Sequence, residues 1–341
     1  MKISSPKLRA GVIGLGIGEK HIEGFLAHDS CEVKCIADFN PEKLAEVSGR
    51  YPGISTSQSS DDVLSNPEIE VVSIASFDQF HFEQVCLGID HDKHLFVEKP
   101  LCLYESEAEI IFEKLRKKPY LKFSSNLILR RSPRFLELKQ SLDAKQLGTI
   151  YHAEADYLYG RLAKIQNGWR SEAPYYSVML GGGVHMIDLL VWLLSDRVES
   201  VFSLSNHMVA DANKFKHYDH SVGLMQFRKG TVAKVSANFG CVHPHFHQVQ
   251  IFGSAASFQN FYDNPRIITS RDSLDPYETV VSEYPGVAKG AMLHNFLDVI
   301  LGIEEKAYVS KEDVFATMAI AFALEKSTLE KRVVKVQYFD E

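Results

Sequence analysis

Apolar positions in the first third of the chain come in short runs set between amphipathic stretches. Leu8, Ala10, Val12 and Ile13 make one run. Val33–Asp38, Glu70–Ser76, His94–Val97 and Tyr120–Ser124 make four more. Such runs, bounded by turn residues, read as strands buried on both faces. The stretches between them repeat their apolar residues at helical spacing. They predict helices from Gly18 to about His28, Pro41 to about Tyr51, a short piece at Asp61-Asp62, Gln79–Gly88 and Tyr104–Lys117. Pro41, behind Asn40, suits the first helical position. Strand and helix alternate in this way to about residue 124, the pattern of a parallel, doubly wound sheet.

The pattern then changes. After a helix at Pro133–Leu142, longer strands follow at Thr149–Tyr159, Val198–Met208, His220–Phe227, Thr231–Phe239 and His247–Gly253. Turn residues such as Lys229-Gly230 link them, as in an antiparallel sheet. Helices at Val184–Leu194, Gly290–Leu301 and Lys311–Glu330 and a last strand at Val333–Gln337 complete the chain. The expected architecture is α/β, with a doubly wound domain over 1–124. An α+β domain with a large, mostly antiparallel open sheet is expected over 125–341.

The junction after the first strand carries the first chemistry. Gly14, Gly16 and Gly18 follow Ile13 at once and lead into a helix. A tight turn, close backbone approach and free helix N–H groups suit a pyrophosphate. Asp38 ends the second strand 22 residues after Gly16, the spacing of a ribose-binding carboxylate. The plainer alternative is a helix-capping acid after an ordinary turn. The third glycine comes one residue earlier than in GxGxxG, with Glu19 in its place.

Composition narrows the classes. The chain has 341 residues, room for two domains, and its 45% hydrophobic and 24% charged residues are those of a globular protein. A net charge of −7, with no basic run longer than Arg116-Lys117-Lys118, argues against nucleic acid as a partner. Five scattered cysteines read as reduced thiols, and no apolar run is long enough for a membrane span or leader. These point to a cytoplasmic protein.

Three polar elements sit in apolar or glycine-rich surroundings. Glu98-Lys99-Pro100 ends a short strand, where a desolvated lysine can move a proton; a surface lysine paired with its neighbour is the alternative. Gly181-Gly182-Gly183 precedes His185 and Asp188, which lie one helical turn apart. The glycines are expected to let a ligand approach, and the alternative is a core histidine. His81 follows Ser76 past the third strand and is expected to face the ligand crevice. Tyr157, Tyr159, Arg161, Trp169, Arg170, Tyr175 and Tyr176 suit either sugar stacking or a subunit interface. His243, His245 and His247 share one strand face, but with Pro244 among them and no matching acid they are not read as a metal site.

Together GVIGLGIGEKH with Asp38, SIASFDQFH, FVEKPL, SSNLILRRSPRF, LGTI, NGWR and GGGVHMIDLLVWLL resemble the Gfo/Idh/MocA family of nicotinamide-dependent sugar and polyol oxidoreductases. The resemblance spans essentially the whole chain. It implies a Rossmann domain followed by a substrate domain, and roles residue by residue. Lys99 and His185 match the pair that shares the proton of the reacting hydroxyl, and Pro100 matches a proline often in cis. Gly14, Gly16, Ile17, Gly18, Asp38, Ser76, His81, Glu98 and Lys99 match the cofactor site. Lys99, Asn126, Trp169, Arg170 and His185 match the substrate site. Asp38 would take the adenosine ribose hydroxyls and so favours NAD over NADP. The implied partner is a small sugar or polyol, and the implied assembly a homodimer or homotetramer. Many relatives carry an aspartate where Gly181 stands. Two rival functions keep the cofactor site: an NAD-dependent glycosidase that oxidises its substrate transiently, and a non-catalytic nucleotide-binding regulator.

Overall fold

The computed structural model describes residues 7–272, 274–287 and 290–341. They form two compact units. The first holds the described residues up to Ile128 together with 290–315, and the second holds Leu129–Val287 and Ala316–Glu341.

The first unit is a six-stranded parallel sheet: β1 (Leu8–Ile13), β2 (Cys31–Ala37), β3 (Ser55–Ser57), β4 (Val71–Ile74), β5 (His94–Val97) and β6 (Phe123–Ser125), in the order β3-β2-β1-β4-β5-β6. The chain winds outward one way from β1 and the other way from β4, so a crevice opens beyond their carboxyl ends, where such sheets bind ligands. The helices are α1 (Gly18–Leu26), α2 (Pro41–Ser48), α3 (Ser60–Leu64), α4 (His81–Asp90) and α5 (Glu105–Lys117). Asn40 caps α2 by accepting from the amides of Glu42 (2.9 Å) and Lys43 (3.0 Å). β3 carries only Ser and Thr and sits at the sheet edge, so it leaves no apolar signal in the sequence.

The second unit begins with α6 (Pro133–Asp143) and contains a nine-stranded sheet. Its strands are β7 (Ile150–Leu158), β8 (Val198–Asn206), β9 (His220–Phe227), β10 (Val232–Asn238), β11 (Phe246–Gly253), β12 (Ser257–Asn260), β13 (Arg266–Ile268), β14 (Glu278–Thr279) and β15 (Val334–Lys335). The order is β14-β13-β12-β11-β7-β10-β9-β8-β15, and every pairing but that of β7 with β10 is antiparallel. Alternation sorts the side chains onto two faces. Ala153, Ala155, Val235, Ala237 and Ile251 are buried on the face that carries α9 (Val184–Leu194). The other face presents Leu204, Leu224 and Val232 in the open. Lys234 bridges Glu154 (2.7 Å) and Asp156 (3.0 Å) at its centre. Short helices α7 (Leu162–Gln166) and α8 (Trp169–Glu172) lie between β7 and α9.

β8 stops at Asn206 rather than Met208. The Asp219 carboxylate takes the amides of Met208 (3.1 Å), Val209 (2.7 Å) and Ala210 (2.7 Å), which cannot then join the sheet ladder. A continuous block over 125–341 is not what forms either. The helix α10 (Ala291–Ile300) packs in the first unit, with Phe296 5.7 Å from Phe96 and Leu293 against Gly24. The last helix, α11 (Lys311–Glu330), gives its first turn to the first unit and the rest to the second. No helix among the described residues is long and apolar enough to cross a membrane.

Candidate active site

In the first unit the turn after β1 is fixed by sterics. Gly14 has φ +82°, and a Cβ there would strike the carbonyl of Ala75. Asp38 braces the turn. Its Oδ2 accepts from the Leu15 amide (2.7 Å) and its Oδ1 from the Asn40 amide (2.9 Å). Gly16 faces open space, and α1 begins after Ile17 with no side chain capping its first amides. Room, uncapped N–H groups and a carboxylate at the end of β2 fit the phosphates and ribose of a dinucleotide. Glu19, the residue that breaks the glycine spacing, is held by Arg50 at 2.7 Å.

His81 is not where strand-end placement puts it. It is wholly buried at the start of α4, with Nδ1 2.7 Å from the Pro100 carbonyl and Nε2 3.2 Å from the Ser76 carbonyl. Both nitrogens face backbone oxygens, so the ring ties the loop after β4 to the loop after β5. Ser76 stays partly exposed and donates to Gln84 Oε1 (2.6 Å).

A buried polar chain lies beneath Lys99. Ser73 Oγ and His21 Nδ1 are 2.6 Å apart, His21 Nε2 is 3.3 Å from Glu98 Oε1, and Asn126 Nδ2 donates to the same oxygen at 2.7 Å. Burial opposes ionisation of Glu98, but His21, the Lys99 charge and the Asn126 amide outweigh it and hold its pKa at about 2. Asn126 is buried and its Oδ1 has no hydrogen-bond partner. An acceptor in that state suits a hydroxyl-bearing ligand. Lys99 is half-buried, donates its amide to Glu98 Oε2 (3.3 Å), and joins Pro100 through a cis peptide bond. His21 was not read from the sequence as a site residue, although its place one turn after Gly18 puts it on the inward face of α1.

In the second unit His185 opens α9, behind a π-helical turn at Met179–Gly183. Tyr157 of β7 stacks on its ring at 6.0 Å and 17°. His247 of β11 lies 6.3 Å from His185, and His245 is 4.9 Å from His247 and 5.1 Å from Tyr157. Desolvation, then the positive neighbours His185, His245 and Arg161, push the His247 pKa well down, and its Nδ1 meets the Tyr284 hydroxyl at 2.5 Å. His243 stands apart, against Tyr262 and the Pro244 carbonyl. Among the described residues no three His, Cys, Asp or Glu side chains are grouped to hold a metal ion.

The triple glycine does not open the backbone to a ligand. A Cβ at Gly181 would fall on the Tyr176 hydroxyl, and one at Gly182 would lie 2.7 Å from the Tyr157 ring and 2.8 Å from Phe239. The chain's own aromatic rings fill that space. Arg170 Nε donates to the Tyr176 hydroxyl (3.0 Å), and its guanidinium lies 4.5 Å over Trp169. Arg161 lies 5.5 Å over Tyr159. Tyr175 turns away and donates to Glu325, as does Ser177. Asp188 is buried and held through two donor nitrogens of Arg130.

Comparison with known proteins identifies the family. Residues 8–124 match the family model described as "Oxidoreductase family, NAD-binding Rossmann fold", and residues 135–259 match "GFO/IDH/MocA C-terminal domain". A myo-inositol 2-dehydrogenase of Thermotoga maritima is 23% identical over 97% of this chain and 99% of its own. A levoglucosan dehydrogenase solved with NADH and L-sorbose superposes with a TM-score of 0.85 at 20% identity, covering 98% of this chain and all of that one. A scyllo-inositol dehydrogenase from Lactobacillus casei, solved with NAD(H) and scyllo-inositol, gives 0.81 at 19% identity, covering 97% and 99%. The chain belongs to the GFO/IDH/MocA family of oxidoreductases, with an NAD-binding Rossmann domain at its N-terminal end.

Proposed function

We propose that this chain oxidises a ring hydroxyl of a sugar or cyclitol with NAD, and that Lys99 and His185 handle the hydroxyl proton. The observation that carries the reading is the unpartnered, buried Asn126 Oδ1, hydrogen-bonded through its own amide to an ionised Glu98 next to Lys99. A polar substrate group is the natural complement of that oxygen. Gly14, Gly16, Ile17 and Gly18 would hold the pyrophosphate, Asp38 the adenosine ribose, and Ser76 the nicotinamide side, with His81 fixing the loops around it. Bound NAD supplies the hydride acceptor. Lys99 donates to the hydroxyl oxygen, and the His185 imidazole takes the proton as the C–H bond breaks. Tyr157 stacking fixes the plane of that imidazole. Asn126, Trp169 and Arg170 orient the substrate.

The assembly that fits this reading is a homodimer or homotetramer built on the open face of the large sheet.

Two measurements test the function. NAD should raise the melting temperature more than NADP, and Asp38→Ala should erase that preference. A panel of sugars, cyclitols and sugar acids should yield at least one member that gives NADH at 340 nm. Lys99→Ala and His185→Ala should each lower that rate by at least a hundredfold. Absence of binding by either dinucleotide overturns the site. Binding without NADH from any panel member overturns net oxidation and favours transient oxidation or a regulatory role.

A further inference from the structure

Of the 21 phenylalanines, only Phe39 (62%) and Phe80 (40%) are exposed among the described residues. Both stand beyond the carboxyl ends of the strands that flank β1. Phe39 follows Asp38 after β2, and Phe80 closes the single helical turn Asp78–Phe80 after β4. Phe77 joins them. Its ring is 5.6 Å from that of Phe39 at 68°, and 6.5 Å from that of Phe80 at 22°. A lone exposed ring is ordinary on a surface, but three grouped beside a ligand crevice are what a flat aromatic ligand uses.

The turn after β1 fixes which part of a dinucleotide comes here. Gly14, Gly16 and the uncapped start of α1 suit the pyrophosphate, and Asp38 suits the ribose. The base is joined to the ribose on the side away from the phosphate, so it lies beyond Asp38 as seen from the glycine turn. Only Phe39 and Asn40 stand between Asp38 and Pro41, which opens α2. The Asn40 side-chain oxygen is spent on capping that helix. The cations nearby are paired: Arg50 with Glu19 (2.7 Å) and Glu46 (3.0 Å), and Lys43 with Glu46 (3.1 Å). What the crevice offers beyond Asp38 is therefore a neutral aromatic surface.

We propose that Phe39, backed by Phe77 and Phe80, is a stacking platform for the base of the dinucleotide, and that the site accepts purines other than adenine. This rests on the reading of Gly14, Gly16 and Asp38 as the cofactor site and adds how the base is held. Every purine presents a π-face, so a platform that stacks does not distinguish one from another. Discrimination needs hydrogen bonds to the edge of the base, and phenylalanine rings make none. Burying the exposed face of Phe39 under the base also removes apolar surface from water, which favours binding.

Calorimetric titration of the full chain with NAD, nicotinamide hypoxanthine dinucleotide and nicotinamide guanine dinucleotide tests this. The three should bind within about tenfold of one another, because stacking is indifferent to the groups on the purine edge. Phe39→Ala and Phe39→Leu should each weaken NAD by about fivefold or more, and Phe39→Trp should keep the parent's affinity. Phe39→Leu separates stacking from mere apolar contact, since it keeps bulk and loses the π-face. Melting curves without ligand should be alike for the parent and these variants, because Phe39 stands mostly in water. The base series needs no variant, so it stands even if a substitution unfolds the chain. Binding of either altered dinucleotide more than about tenfold weaker than NAD, or Phe39→Leu with the parent's affinity, overturns the platform. Failure of the parent to bind any of the three overturns the cofactor site itself and the platform with it, and it is told apart because it appears before any substitution.

Discussion

Glu98 is the residue on which the first unit's polar chain depends. A carboxylate removed from water is costly, and here His21, Asn126 and Lys99 more than repay that cost. Its pKa is depressed in the folded chain, so its stabilisation is fully present above the ordinary glutamate value near 4.5 and fades as pH falls toward about 2. Glu98→Gln should therefore lose on the order of 3 kcal/mol at pH 7, with the gap to the parent closing between pH 5 and pH 2. Denaturant titrations of both proteins across that range measure it, and a gap independent of pH would contradict the assignment. At this scale the sequence was informative but incomplete. Lys99, Asp38 and His185 announce themselves by position after a strand or a glycine run. His21, His245 and His247 matter through partners far away in the chain, and Ser73 lies 52 residues from the histidine it meets. No spacing rule connects such pairs.

At the scale of elements, the glycine run before α9 shows how the same residues can serve two unlike ends. Three glycines read naturally as an opening for a ligand. In the folded unit they are instead the sites where Tyr176, Tyr157, Phe239 and Met179 press onto the helix, and the backbone there takes a π-helical turn. The periodicity placed the helix itself, Val184–Leu194, at its observed bounds, because eleven mostly apolar residues carry the signal. It could not show which face the aromatic rings would cover, since those rings arrive from β7, from β10's end and from the loop before the helix. Overpacking follows from this account. Gly181→Ala should cost roughly 1–3 kcal/mol, since its methyl group and the Tyr176 hydroxyl claim the same space. Tyr176→Phe in the same chain removes the nearest atom and should restore part of the loss. Thermal unfolding of the single and double variants gives the comparison, and additive losses would show that the two residues do not compete.

For the molecule as a whole, the longer buried strands and helices were legible because burial imposes a period, whereas the short strands β3, β12, β13 and β14 and the return of 290–315 to the first unit were not. The apolar residues of α10 look alike whichever core receives them, and partners distant in sequence, Phe96, Gly24 and His28 among them, decide the matter. The open face of the nine-stranded sheet raises the last question of this scale. Leu204 is 52% exposed and Leu224 51%, on neighbouring strands, with Phe202 and Val222 opposite them in the ladder and Val232 on the next strand. One such residue on a surface means little, but several grouped on one sheet face are what a protein–protein interface uses. The charged group at its centre, Lys234 with Glu154 and Asp156, is internally balanced and so does not repel a second copy. If two copies bury this face, the parent chain should run as a dimer or tetramer in light scattering at micromolar concentration. Leu204→Lys with Leu224→Lys should convert it to a monomer, because each ammonium would be trapped against its symmetry mate. A parent that is monomeric, or a double variant that stays assembled, would move the interface off this face.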